Sequence, residues 1–248
     1  MDFNIIEKAS TAMYSYIRKY QMDNLSGASL ESITKIEMDV KEYSNTLLFA
    51  DRKRIGFSRR VEGAVFEDEE NIFVCFMATN KWYDWLTNFT FFKKALPSVS
   101  NKKIRAHSGY LNRYILNSVR SKILVKVSRS EKKKVIVTGY SMGGGLAPIC
   151  ALDLAMVFKD YDVKCVAMAG PRVGNKGFVE KFDKKVDGLN LTFGNDVITK
   201  APPVWWGFRH IFTWHFGPES KWYKFSIENH MPHNLFWAIK EIKYTIEN

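Results

Sequence analysis

The stretch Val135-Ile-Val-Thr-Gly-Tyr-Ser-Met-Gly-Gly-Gly-Leu-Ala147 constrains this chain more than any other. Its first four residues read as a short, buried strand, and residues 144 to 158 read as a largely buried helix. Between them Gly139-Tyr140-Ser141-Met142-Gly143 is a Gly-x-Ser-x-Gly pattern. A serine on so sharp a strand-to-helix turn sits in strained backbone, and small residues two before and two after it avoid a clash. The helix that starts there aims its N–H groups and the positive end of its dipole at the place where an oxyanion would develop. Pro148 falls in the second turn of that helix, where it removes a bond to Gly144, so a local irregularity is expected.

Other segments repeat the alternation. An amphipathic helix is expected over about 5–21, carrying Ile5, Ala9, Met13, Tyr16 and Ile17 on one face. Residues 61–66 and 72–77 read as a hairpin around the acidic turn 67–71. Helices are expected over 110–128 and 178–186, strands over 165–169 and 189–193, and a C-terminal helix through Leu235, Ile239, Ile242 and Ile246. Short buried strands alternating with helices imply an α/β fold, with a mostly parallel sheet covered on both faces. No repeat or linker divides the chain, so residues 1–248 are read as one domain.

With 248 residues, 46% of them hydrophobic and 15% aromatic, the chain can bury a sizeable core, which excludes a disordered or low-complexity architecture. The net charge of +11 favours an anionic partner, a lipid surface or a nucleic acid. No helix-turn-helix spacing or RNP-like aromatic pattern supports the nucleic acid. Cys75, Cys150 and Cys165 lack metal-ligand spacing and are odd in number, which argues for a reducing compartment. No signal-peptide pattern opens the chain, and no apolar run is long enough to span a membrane. A cytoplasmic, or viral and host-intracellular, setting is therefore expected, without a transmembrane anchor.

A serine alone is inert and needs a base, a group that orients the base, and an oxyanion hole. In the strand-turn-serine-helix architecture the acid and then the histidine follow the nucleophile in the chain. Asp196 lies just past the strand 189–193, at a carboxyl strand end where such sheets build their sites. Among the histidines after Ser141, His233 would stand in the first turn of the C-terminal helix, whose dipole favours a neutral ring. His230, three residues earlier, is its rival, and spacing leaves both open. His210 and His215, set among Trp205, Trp206, Phe208, Phe212, Trp214 and Phe216, read as structural.

Several segments, in the same order, resemble the class 3 lipase family, the group of fungal triacylglycerol lipases and plant phospholipase A1 enzymes. Thr138-Gly-Tyr-Ser-Met-Gly-Gly-Gly-Leu-Ala147 is similar to the family's TGHSLGGALA, and Ala169-Gly-Pro-Arg-Val-Gly-Asn175 to its GSPRVGN. Asn195-Asp-Val-Ile-Thr-Lys-Ala-Pro-Pro203 resembles NDxVPxLPP, whose aspartate is catalytic, and His233-Asn-Leu-Phe-Trp-Ala238 resembles the plant HNLxxYL, whose histidine is catalytic. His107-Ser-Gly-Tyr-Leu111 is similar to an HxGF element, and His215-Phe-Gly-Pro-Glu219 to a structural HxGxE.

The resemblance implies an α/β-hydrolase fold and a triad of Ser141, Asp196 and His233, deciding for His233 over His230. It also aligns Phe76-Met-Ala-Thr-Asn-Lys-Trp-Tyr-Asp-Trp-Leu86 with FRGTxSxxDWL. That implies an oxyanion hole of Thr79 with the N–H of Met142, and a lid over about 82–96. Met77 and Ala78 replace the family's Arg-Gly, Tyr140 replaces its His with only the backbone expected to matter, and Phe236 stands where Tyr is frequent.

The activity implied is hydrolysis of lipid carboxylic esters, of triacylglycerol lipase or phospholipase A1 type, without metal or organic cofactor. The expected partner is a lipid–water interface, in particular an anionic membrane met by basic runs such as 52–54, 102–103 and 132–134. A small-ester esterase or acyltransferase, and a non-catalytic anionic-lipid-binding protein on the same scaffold, are the alternatives.

Overall fold

The computed structural model describes residues 1–20, 38, 40–50, 61–76, 92–115, 118–217, 226 and 228–247. Its centre is a seven-stranded sheet built from β1 (Ser44–Ala50), β2 (Val61–Glu67), β3 (Asn71–Phe76), β6 (Lys134–Tyr140), β7 (Asp162–Met168), β8 (Asp187–Phe193) and β9 (Thr213–Phe216), in that spatial order. The first two pairings are antiparallel, and every pairing from β3 to β9 is parallel. Two short strands, β4 (Lys93–Ala95) and β5 (Arg105–His107), pair apart from it.

The expected hairpin forms between β2 and β3, closed by Asp68, whose Oδ1 accepts the backbone N–H groups of Glu70 (2.9 Å) and Asn71 (2.7 Å). The central strands are apolar on both faces because both faces are covered. On one face Val74, Val135, Val137 and Cys165 pack beneath α2 (Ser108–Ile115), α3 (Val119–Ser128), α4 (Met142–Val157) and α5 (Lys176–Asp183). On the other, Phe73, Ile136, Val166 and Met168 pack against α1 (Phe3–Tyr20) and α6 (Pro232–Glu247). Tyr14 meets Phe236 edge-on at 5.8 Å, joining these two helices.

Three expectations change. The single helix expected over 110–128 is two helices, with Ser118 left-handed (φ 61°) at the start of the second. Helix α4 begins at Met142 and runs unbroken through Pro148. Strands β1 and β9 escaped the sequence reading, because both are edge strands with mixed composition.

All three cysteines are free and buried, and burial pushes their thiols up. Among the described residues no helix is long and apolar enough to cross a membrane.

Candidate active site

Ser141 sits between the end of β6 and the start of α4 with φ 58° and ψ −118°, a strained backbone for a residue other than glycine. A Cβ on Gly139 would run into the backbone of Gly143, which is why the pattern has glycine on both sides of the serine. A Cβ on Gly144 would lie 2.8 Å from Gly170 Cα, so α4 owes its close seat on the end of β7 to that glycine. The turn is held from outside as well, by the Ser141 N–H donating to the Met168 carbonyl at 2.8 Å.

Asp196 is wholly buried beyond β8. Its Oδ1 accepts the Ile198 N–H at 2.8 Å, leaving Oδ2 aimed at one partner, His230 Nδ1, at 2.7 Å. His230 Nε2 in turn lies 2.7 Å from Ser141 Oγ. A carboxylate can only accept, so Nδ1 carries the ring proton and Nε2 is the acceptor for the serine hydroxyl. Ser141, His230 and Asp196 thus form one continuous line.

This corrects the choice of His233. That residue is the second of α6, and its ring lies against Trp237 at 5.4 Å. His230 ends a 3₁₀ turn, Glu228–His230, placed before the helix, and this turn is tied to the loop of Asp196. The Ser226 N–H donates to the Asn195 carbonyl at 3.0 Å, and the Asn229 N–H to Ser226 Oγ at 3.2 Å. Gly194, with φ 51°, makes room for Asn229, since a Cβ there would strike its amide. Pro232 marks the first residue of α6, and that was the available signal that His230 lies ahead of the helix and free to reach back.

The side chain of Tyr140 also does more than expected. Its hydroxyl, on a buried side chain, donates to the His230 carbonyl, with the two rings 5.5 Å apart. Met142 is the first residue of α4, so its N–H has no partner within the helix and is available beside the serine. Thr79, Met77, Ala78 and the part of the expected lid before Phe92 lie outside the described residues.

His210 and His215 bond elsewhere. His210 Nε2 donates to the Thr199 carbonyl at 2.6 Å, and His215 Nδ1 lies 3.0 Å from Thr192 Oγ1 across the β8–β9 pairing. Burial, reinforced by Lys93, pushes His107 down to about 4, and burial above all does the same for His210. No cluster of metal-ligating side chains occurs among the described residues.

The model of the lipase (class 3) family matches residues 73–206, more than half of the chain. The chain belongs to the class 3 lipase family. It is similar to a lipase of Rhizomucor miehei (28% identity over 150 residues, 58% of this chain and 41% of that protein). It is also similar to the chloroplastic phospholipase A(1) DAD1 of Arabidopsis thaliana (31% over 169 residues, 57% and 37%). The matches thus span about two fifths of the length of these relatives. A solved structure of the Rhizomucor miehei lipase in complex with its propeptide superposes with a TM-score of 0.67 at 18% identity, covering 95% of this chain and 80% of that one. The fold is therefore the α/β-hydrolase fold of the class 3 lipases, and family membership makes Ser141 its nucleophile candidate.

Proposed function

We propose that this class 3 lipase-family protein hydrolyses carboxylic esters of lipids through Ser141, His230 and Asp196. The observation that carries the reading is the unbroken line from Ser141 Oγ through His230 to Asp196 Oδ2, with 2.7 Å at each link.

His230 Nε2 takes the hydroxyl proton as Ser141 Oγ attacks the ester carbonyl, and Asp196 stabilises the resulting imidazolium. The Met142 N–H, at the positive end of α4, supports the oxyanion. Thr79 is the second donor by the family resemblance. As the tetrahedral intermediate collapses, the imidazolium returns the proton to the departing alcohol. Water, activated by the same ring, then attacks the acyl-enzyme and releases the carboxylic acid and Ser141. No step calls for a metal or an organic cofactor.

Lipid rather than small-ester substrates are favoured by the relatives and by the large exposed aromatics of this chain, Trp205 and Phe92 among them. The buried free cysteines suit a reducing, cytoplasmic setting.

The test is hydrolysis of p-nitrophenyl esters from acetate to palmitate, with Ser141→Ala beside the parent protein. Serine-dependent turnover that rises with chain length is expected. Turnover confined to short esters would replace the reading with a plain esterase, and none on any ester would leave a binding protein on a hydrolase scaffold.

A further inference from the structure

Past Asp196 the chain passes Pro202-Pro203 into a single 3₁₀ turn, Val204–Trp206, with no buried residue. Trp205 is 79% exposed, Phe92 ahead of β4 is 76% exposed, and Val204 and Trp206 are also exposed. These two segments are pinned together. Lys93 Nζ donates to the Trp206 carbonyl at 2.6 Å and lies 4.1 Å over the ring of Phe208. Soluble proteins scatter single apolar residues over their surface, and a cluster of large ones marks an interaction site.

Among the described residues the charge around this cluster is uncompensated. Lys94 bonds the Asn112 amide oxygen, Arg172 the carbonyls of Lys200 and Pro202, and Arg209 those of Val204 and Phe208. A carbonyl satisfies the donor and leaves the charge unneutralised. Segments 92–115, 170–176 and 197–217 contain no Asp or Glu at all. Like charges crowd each other here: after burial, Arg105 lowers the Lys93 ammonium and Arg209 lowers the Arg172 guanidinium. The contrast is the basic run 132–134, where Lys132 pairs with Glu67, Lys133 with Asp160 and Lys134 with Glu70. That run, expected from the sequence to meet a membrane, is neutralised.

Exposed indoles ringed by unpaired cations match the headgroup layer of an anionic bilayer, where indole sits at the interface and ammonium or guanidinium meets phosphate. We propose that the turn Val204–Trp206 with Phe92, Lys94 and Lys200 is the face on which this protein docks on an anionic lipid bilayer. The turn follows Asp196 from the carboxyl end of β8, so docking brings the triad to the membrane. That consequence rests on the lipid-ester reading, whereas the docking itself does not. Single-stranded nucleic acid also offers phosphates and stacking partners. Val204 and Phe92, which extend the patch with purely apolar surface, favour lipid.

The experiment is co-sedimentation of Ser141→Ala protein with vesicles of phosphatidylcholine, with and without phosphatidylglycerol. Binding only to the anionic vesicles, falling as salt rises, is expected. In that background Trp205→Ser with Trp206→Ser should lower partitioning on the order of tenfold. Lys94→Gln and Lys200→Gln should each lower it about fivefold, and Lys133→Gln should leave it unchanged. All of these side chains are exposed, so an unchanged melting temperature identifies folded variants. Variants that bind like their parent, or a single-stranded oligonucleotide bound more tightly than the vesicles, would overturn the proposal. Because Ser141→Ala cannot turn over, docking without ester hydrolysis by the parent protein would sink the lipase reading alone. Hydrolysis without docking would sink this one.

Discussion

The Tyr140 hydroxyl donates a hydrogen bond to the backbone carbonyl of His230, so the residue before Ser141 holds the residue whose ring bonds the Ser141 hydroxyl. Tyr140 is buried, and its removal would leave that carbonyl without its donor. Tyr140→Phe should cost about 1–3 kcal/mol of stability through the unsatisfied carbonyl. It should also lower kcat about tenfold with KM little changed, because the ring of His230 loses its register with Ser141. Steady-state kinetics with a p-nitrophenyl ester, beside urea unfolding, separate the two effects. A stability loss with kcat intact would make the contact purely structural.

Gly194 combines a positive φ of 51° with the close approach of Asn229, next to His230. Gly194→Ala therefore meets both a backbone penalty and a clash, and should push the Glu228–His230 turn away from Asp196. A drop in kcat of at least about tenfold is expected, together with a lower melting temperature. Full activity in this variant would show that the turn tolerates displacement.

Behind the nucleophile, α4 carries a buried Asp153 that accepts from Tyr114 Oη at 2.9 Å and from Arg120 Nε at 2.8 Å. Asp153→Ala leaves the Arg120 charge without its carboxylate and opens a polar hole, which should cost about 3–5 kcal/mol. Asp153 does not belong to the hydrogen-bonded line from Ser141 to Asp196, so specific activity per folded molecule should survive. Chemical denaturation and active-site titration together check this.

His107 and His210 each have a folded pKa of about 4, below the ordinary value of 6.5, because burial disfavours the charged ring. Between pH 6.5 and 4 the unfolded chain binds more protons than the folded one, so their contribution is full above pH 6.5 and is lost as pH falls toward 4. Each should add a slope of up to about 1.4 kcal/mol per pH unit in that window. Urea midpoints measured across it should fall with acid, and His210→Gln should reduce the slope.

The elbow and Asp196 were legible in the sequence because their constraints are local. Gly139 and Gly143 must be small to close the turn at Ser141, and Asp196 must follow the end of a buried strand. The base was not legible, since His230 and His233 are three residues apart and follow the acid equally well. Beyond the signal of Pro232, what separates them is tertiary. The helix starts only at Pro232, and the Asn195–Ser226 and Gly194–Asn229 approaches fold the preceding turn back onto Asp196. The resemblance to the plant segment beginning at His233 points to the member of the pair that the structure does not place on Ser141 and Asp196, because a short match carries no information about where the chain folds back. The edge strand β9 was hidden by its four mixed residues, Thr213–Phe216. The role of the Tyr140 side chain depends on a partner 90 positions away and leaves no local trace.

The most direct measurement is turnover of a p-nitrophenyl ester by His230→Ala and His233→Ala, each compared with the parent and with Ser141→Ala. Assignment of the base to His230 predicts that His230→Ala falls to the level of Ser141→Ala, a loss on the order of 10⁴-fold or more. His233→Ala should stay within about tenfold of the parent, since its ring touches Trp237 and not the serine. An inactive His233→Ala beside an active His230→Ala would contradict it.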